Sequence, residues 1–379
     1  MTIGILGGGQ LGYMLALAGY PLGMHFRFLD PSPQAPVGRV APRVTADYSD
    51  KEALEKFVHG LALVTYEFEN VPVSAARLLQ KRVPVYPPPE ALEVSQDRLS
   101  EKNLFQKLGV ATTEFAAVDS PADLETAIRK IGLPAVLKTR RMGYDGKGQW
   151  MLRSAEEVSQ VREEFPRDAL ILEKFIPFDR ELSILAVRTR SGAVSFYPLV
   201  ENHHRGGILR LSLAPAPQLE AAVRRAAEQA ARRILAELNY VGVLAIEFFE
   251  WNGKLLANEM APRVHNSGHW TIEGAITSQF ENHLRAVAGL PLGSAEALGH
   301  SAMLNLIGEL PESEEVLRVP DAHLHIYGKG LRPGRKVGHV TVRGATREQL
   351  ATRLAALPAF FHRPEFVLDE ALSKSAKSL

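Results

Sequence analysis

The chain has 379 residues, 46% of them hydrophobic and 23% charged, with 44 Lys and Arg against 43 Asp and Glu and a net charge of +1. That profile is globular, with length for two or three domains, and it excludes disorder as the main state as well as the basic excess of a general nucleic-acid binder. The complete lack of cysteine excludes disulfides, thiolate nucleophiles, zinc–sulfur sites and iron–sulfur clusters, so any metal must be held by oxygen or imidazole.

No apolar run approaches the roughly 18 residues of a membrane span. The first six residues read as a strand rather than a secretory signal, so a cytoplasmic protein without a membrane partner is expected. In chain order, residues 2–6 are an apolar run closed by glycines, 10–18 have helical spacing, and 25–29 form a second strand stopped by Asp30-Pro31-Ser32-Pro33. Residues 61–66 and 83–86 give further strands, the last halted by three prolines at 87–89. This alternation predicts βαβ units on a parallel sheet. A charged helix at 97–108 opens a second region, with strands at 135–139, 170–175, 181–187 and 194–200 and a long helix at 219–238. Paired strands at 243–250 and 254–260 and further helices lead to a linker at 288–293. A smaller region has strands at 302–307, 323–326 and 337–342, a helix at 347–356, and a tail at 373–379 expected to be mobile. The fold class is α/β and α+β, in three domains: 1–95, 96–292 and 293–379.

Two glycine motifs stand out. Gly7-Gly8-Gly9-Gln10-Leu11-Gly12 matches G-x-G-x-x-G between a strand and a helix, with Asp30 placed as a ribose-binding acid would be. The same glycines serve any tight turn that approaches a phosphate. Dinucleotide binding, the phosphate of another ligand, and a structural turn all fit, and nothing downstream supplies hydride transfer. The second motif, Gly143-Tyr144-Asp145-Gly146-Lys147-Gly148-Gln149, follows Lys138 on an apolar strand. Its backbone amides are able to fold over phosphate oxygens, with Lys138 and Lys147 adding charge; a surface hairpin with solvated lysines is the plainer reading. Glu173-Lys174-Phe175-Ile176 closes another strand and offers backbone contacts to an adenine edge, with Glu181 as acceptor for a ribose hydroxyl.

Glu247 and Glu259 lie in two apolar strands joined by Trp251-Asn252-Gly253. A two-residue loop at Asn252-Gly253 would pair Glu247 with Asn258 and turn Glu259 away, whereas an odd-length loop would place both acids on one face. Two neighbouring carboxylates repel unless a cation lies between them, and Mg²⁺ with nucleotide phosphates suits oxygen ligands of this kind. Lys329, Arg332, Arg335 and Lys336, beside Pro333-Gly334, form either a solvated turn or a monophosphate site.

The ordered set of strand lysine, glycine-rich loop, E-x-x-I segment and acid pair resembles the ATP-grasp ligases. More closely, GGGQLG at 7–12, GYDGKGQ at 143–149, APRVHNSGHW at 261–270 and RPGRKVGH at 332–339 are similar to the N5-carboxyaminoimidazole ribonucleotide synthetases of purine biosynthesis. The resemblance covers nearly the whole chain. It implies an ATP-grasp architecture with an N-terminal Rossmann-like domain, a central nucleotide-binding domain and a small C-terminal domain completing the site. It further implies that Arg98, Lys138, residues 143–149, residues 173–176, Glu181, His204, Asn258 and Glu259 contact ATP, and that Glu247 and Glu259 hold Mg²⁺. Ala261 stands where many ATP-grasp enzymes have a third metal ligand, which leaves water or Asn258 for that place. Gln10, Leu11 and one of Glu67 and Glu69, with Glu67 preferred, are expected to face aminoimidazole ribonucleotide, and the basic cluster its phosphate. Arg263, His265 and Asn266 are expected near bicarbonate, and Tyr144 and Asp145 on a loop that closes over the second substrate.

The implied reaction is carboxylation of the ribonucleotide amine. Bicarbonate attacks the γ-phosphoryl group of MgATP to give carboxyphosphate and ADP, and the amine captures the activated carbon, directly or as released CO2. Lys138, Lys147 and Arg263 would neutralise charge. The alternative is another ATP-grasp ligase, such as a formate-dependent ribonucleotide transformylase. A homodimer is expected from the resemblance alone.

Overall fold

The computed structural model describes residues 1–143, 147–165 and 168–371, so Tyr144, Asp145, Gly146 and the 373–379 tail lie outside the described residues. Four parallel strands make the first sheet: β1 (Thr2–Leu6), β2 (His25–Asp30), β3 (Arg43–Thr45) and β4 (Leu63–Tyr66), ordered β3-β2-β1-β4. Apolar strands of this kind are buried on both faces, and Ile3, Ile5, Leu63 and Val64 are fully buried. The helices of this region are α1 (Gln10–Gly19), α2 (Lys51–Val58) and α3 (Val73–Gln80). Residues 83–86, expected as a further strand, make one parallel bridge, Val85 beside Val64. Pro84 and Pro87 have no N–H to extend a ladder.

After the prolines come α4 (Pro89–Ser95) and α5 (Arg98–Lys107). Asp97 caps α5, its Oδ1 accepting from the N–H groups of Leu99 and Ser100 at 3.0 and 3.3 Å. The same carboxylate accepts a two-pronged contact from Arg140 at 3.0 and 2.7 Å. That contact ties α5 to a small antiparallel sheet of β5 (Phe115–Val118), β6 (Ala135–Thr139), β7 (Gln149–Leu152) and β8 (Leu170–Lys174), ordered β5-β8-β6-β7. Two helices accompany it, α6 (Pro121–Ile131) and α7 (Ala155–Glu163), and α6 buries Leu124, Ala127 and Ile131 in its core.

Among the described residues the other strands form one antiparallel sheet of nine. They are β9 (Arg180–Arg188), β10 (Val194–Phe196), β11 (Val200–Arg205), β12 (Ile208–Ala214), β13 (Gly242–Trp251), β14 (Lys254–Ala261), β15 (His300–Ile307), β16 (Ala322–Ile326) and β17 (Lys336–Gly344). Their order is β14-β13-β9-β11-β12-β15-β17-β16, with β10 on β9. The stretch expected as one strand at 194–200 is two, divided around Pro198, and the β11–β12 hairpin was not anticipated. Its turn is Gly206-Gly207, with φ of 60° and 75°, a hairpin signal that was present in the sequence. Helices α8 (Ala221–Glu237), α9 (Thr271–Gly274), α10 (Gln279–Ala288), α11 (Ser313–Leu317) and α12 (Arg347–Ala355) complete the set. The connection from α10 to β15 contains residue 292, yet the sheet is continuous across it, because β12 pairs with β15. Ile3, Ile5 and Phe28 share one buried cluster with Leu185, Trp270, Met303 and Tyr327. The parallel sheet, the central strands and the C-terminal strands are therefore packed around a common core, which brings the start of α1 close to residues 327–336.

Asp97→Ala removes a cap and leaves Arg140 without its carboxylate. It is expected to lower the unfolding free energy by about 2 kcal/mol, measured by urea denaturation.

Candidate active site

The acid pair owes its geometry to a bulge. β13 and β14 are joined by Asn252-Gly253, both with positive φ (50° and 68°), and pairing is regular from Trp251↔Lys254 to Phe248↔Ala257. The register then shifts, and Glu247 lies opposite Glu259. The loop is thus the two-residue kind, but the expected separation of the acids does not occur, because Asn258 is an extra residue in β14 that restores Glu259 to the face of Glu247. Asn258 Oδ1 is buried without a hydrogen-bond partner. Burial and the Glu259 charge push Glu247 up to about 7. Burial acts to raise Glu259 as well, but Arg98 at 2.8 Å outweighs it and holds that carboxyl below its ordinary range. Burial depresses His204, yet Glu181 at 2.6 Å and the acid pair raise it overall.

The lysine of β6 is part of a buried ion cluster. Lys138 and Lys102 each lie 3.1 Å from Glu173, on its two oxygens, and all three residues are nearly inaccessible. Burial works against the Glu173 charge, but the two ammonium groups hold its carboxyl at about 2. Glu173, expected to touch nucleotide, braces the two lysines. Lys102 was missed, although Arg98, Glu101 and Lys102 at i, i+3 and i+4 mark one helix face. Lys174 pairs with Glu114 at 3.1 Å. The N–H groups of Lys174 and Phe175 already donate to Glu114 O and Pro134 O at 2.9 and 3.2 Å, and Ile176 is buried. The base of the glycine-rich loop is closed by Thr139 N–H donating to Gly148 O at 2.8 Å. A Cβ on Gly148 would meet Thr139 Oγ1 at 2.6 Å. Arg98 also reaches Gly143 O at 3.4 Å, Lys147 is exposed, and Gln149 lies across from Lys138.

The first glycine motif is occupied by the protein itself. Glu67 Oε1 accepts from Gly9 N–H at 2.7 Å, and Oε2 from Gly12 N–H at 3.3 Å. Asp30 accepts from Gly8 N–H at 2.7 Å. A Cβ at Gly7 or Gly9 would stand 2.7 or 2.8 Å from Glu67, so the glycines make room for a carboxylate. This corrects the reading of a ligand phosphate at this helix end: the unpaired N–H groups and the helix dipole are answered by Glu67. It also corrects the ribose role of Asp30, and it commits Glu67 to α1 rather than solely to substrate. Leu11 is a core side chain, which leaves only its backbone for a ligand.

Gln10 is gripped by Lys329, and Glu69 by Arg263. Burial, together with Arg335, Lys336 and Arg332, lowers Lys329 to about 8 against the pull of Glu67, so the four cations converge on one place. Lys336 also acts on Glu247. His265 Nε2 is 3.6 Å from Glu247, and its Nδ1 is 2.9 Å from Ser267 Oγ. Burial, then Arg263 and Lys336, hold His265 well below the usual histidine range, so it is neutral. Both polar atoms of the Asn266 amide are buried without partners. His269 sits in a buried ring cluster, tilted against His339 and Phe280.

Residues 103–280, which carry Glu173, Glu247, Glu259 and Lys138, match the family model of the ATP-grasp domain. Residues 1–96 match the ribonucleotide synthetase preATP-grasp domain and residues 301–353 the phosphoribosylaminoimidazole carboxylase C-terminal domain. The fold is accordingly that of an ATP-grasp ligase. The chain is 55% identical to the N5-carboxyaminoimidazole ribonucleotide synthase of Pseudomonas aeruginosa, over 95% of this chain and 99% of that one. The crystal structure of N5-carboxyaminoimidazole ribonucleotide synthetase from Thermus thermophilus is 62% identical, with a TM-score of 0.90, covering 93% of this chain and 97% of that one. That of the Aspergillus clavatus synthase in complex with ADP and 5-aminoimidazole ribonucleotide is 30% identical, with a TM-score of 0.87 and 98% of each chain covered. The chain belongs to the N5-carboxyaminoimidazole ribonucleotide synthase family, and it is an ATP-dependent enzyme.

Glu173 supplies a pH test. Its folded-state carboxyl is depressed from 4.5 to about 2, so its contribution to stability is present above 4.5 and is lost as the pH falls through about 2. The stability gap between the wild type and Glu173→Gln, measured by denaturant unfolding, is expected to be widest at neutral pH and to narrow steadily below pH 4.5.

Proposed function

We propose that this chain carboxylates 5-aminoimidazole ribonucleotide with bicarbonate at the expense of ATP, giving N5-carboxyaminoimidazole ribonucleotide, ADP and phosphate, in purine biosynthesis. The observation that carries the reading is the acid pair, Glu247 opposite Glu259 with Arg98 2.8 Å from the latter, together with a cationic segment whose Lys329 reaches Gln10 at the start of α1. An acid pair fit for MgATP, on β13 and β14, and a cationic cluster fit for a monophosphate, ending at Lys336 on β17, are thus carried by one continuous sheet.

The donor set fits Mg²⁺. Glu247 and Glu259 face each other, and Asn258 Oδ1 is a buried acceptor without a partner beside them. Among the described residues no cluster of three His, Asp or Glu side chains is placed to hold a metal, so phosphate and water oxygens would complete the shell. When bound, the ion would neutralise charge on the transferring phosphoryl group. Lys138, steadied by Glu173, would hold phosphate oxygens, with Arg98, residues 143–149, Ile176, Glu181 and His204 completing the nucleotide site. Arg263, neutral His265 and the unpartnered Asn266 amide would hold bicarbonate; an amide with both a free donor and a free acceptor suits an anion that also carries a hydroxyl.

A bicarbonate oxygen attacks the γ-phosphorus, ADP leaves, and the ribonucleotide amine attacks the carboxyl carbon as phosphate departs. Positioning and charge neutralisation suffice for this chemistry, without a protein nucleophile. Gln10, Lys329, Arg332, Arg335 and Lys336 would hold the ribonucleotide. The loop at 143–149, with Tyr144 and Asp145, would exclude water from carboxyphosphate. The division at 1–95, 96–292 and 293–379, cytoplasmic residence and a homodimer are part of the same reading and rest on the family resemblance.

ADP release with MgATP is expected to require the ribonucleotide and bicarbonate together; release supported by formate instead would reassign the acyl donor. Glu259→Ala is expected to cut turnover by about a hundred- to a thousand-fold while leaving the far-UV circular dichroism spectrum unchanged; normal turnover would contradict the metal assignment. Arg335→Ala is expected to raise KM for the ribonucleotide about tenfold with little change in kcat; an unchanged KM would favour a solvated turn.

A further inference from the structure

α5 turns Arg98, Glu101 and Lys102 toward β14, the edge strand that carries Glu259. Lys102 Nζ donates to Ala257 O at 3.2 Å, and Glu101 Oε1 accepts from Met260 N–H at 2.6 Å. Ala257 N–H donates to Ala111 O at 2.7 Å on the same outer edge. In a regular strand the peptide groups that face one edge belong to residues two apart. Here they belong to 257 and 260, three apart, and only the bulged strand offers that spacing. The two contacts bracket Asn258 and Glu259, the residues of the register shift. Glu101 and Lys102 are 2% and 1% exposed, and burying polar side chains is costly unless they are hydrogen-bonded.

We propose that Glu101 and Lys102 are positioning residues that lock β14 in its bulged register and thereby present Glu259 as a metal ligand; this rests on the metal reading of the acid pair given above. The regular register, which the two-residue turn also permits, would set Asn258 opposite Glu247 and remove one carboxylate from the site. α5 selects between the two through backbone contacts on both sides of the bulge.

The test is Mn²⁺ binding to the full-length enzyme with ADP, followed by electron paramagnetic resonance, alongside ADP affinity without metal. Glu101→Leu, which lacks the acceptor, is expected to weaken Mn²⁺ about tenfold or more and to leave metal-free ADP binding within about twofold. Glu101→Gln keeps an acceptor oxygen and is expected to retain affinity within about threefold of wild type. Equal weakening of metal-free ADP binding by Glu101→Leu would mark a merely structural role and overturn the proposal. Wild-type Mn²⁺ affinity in Glu101→Leu, with loss in Glu259→Gln, overturns the lock and spares the metal reading; wild-type affinity in Glu259→Gln overturns both. Should Glu101→Leu fail to fold, hydrogen exchange in the wild type decides. The Met260 amide is expected to be as protected as the paired amides of β13, and free exchange at this position contradicts the lock.

Discussion

Two carboxylates set face to face in adjoining strands repel each other, and the surroundings of Glu247 and Glu259 are organised by that repulsion. Arg98 lies against one of them, His204 is drawn toward its charged form by Glu181 and then by both, and the charge of Lys336, on a C-terminal strand, acts on Glu247. Each of these groups belongs to a different stretch of chain. The fold brings them together by packing a parallel sheet, a small antiparallel sheet and a long antiparallel sheet around a common core. Such an arrangement favours a cation between the carboxylates, and in the proposed reading triphosphate oxygens would complete its shell.

Charge is handled differently in each part of the site. Lys138, proposed to face phosphate, is held by a buried carboxylate, which favours one position over many. Burial and the neighbouring cations of 329–336 lower Lys329 to about 8, a state that a phosphate bound there, as proposed, would relieve. The imidazole of His265 stays neutral between Arg263 and Lys336. A braced lysine, a crowded cationic segment and an unpartnered amide are what the proposed anion sites would require before any ligand arrives.

The alternation of strands and helices in the first hundred residues was legible because period and punctuation agreed there. Most strands of the long sheet were legible as apolar runs, and the family resemblance carried the ligand assignments. What could not be read is instructive. A one-residue bulge leaves no mark in the hydrophobic pattern of β14, yet it decides where Glu259 points. The glycines at 7–12 were read as serving a dinucleotide, another ligand's phosphate or a tight turn, but the anion at this helix end is Glu67, 55 residues on from Gly12, and no local pattern announces so distant a partner. Lys102 was hidden because a lysine on a charged helix reads as solvated; only the packing of α5 onto β14 shows it to be buried.

The central claim is that phosphoryl transfer from ATP to bicarbonate takes place between the acid pair and the basic cluster. It is tested most directly by turnover with freshly prepared ¹⁸O-labelled bicarbonate, followed by mass analysis of the inorganic phosphate. Attack by bicarbonate leaves its oxygen on phosphorus when the carboxyl carbon is released, so phosphate carrying one labelled oxygen is predicted in step with N5-carboxyaminoimidazole ribonucleotide formation. Unlabelled phosphate formed at the same rate would mean that another nucleophile attacks ATP, and the account of this site would be wrong.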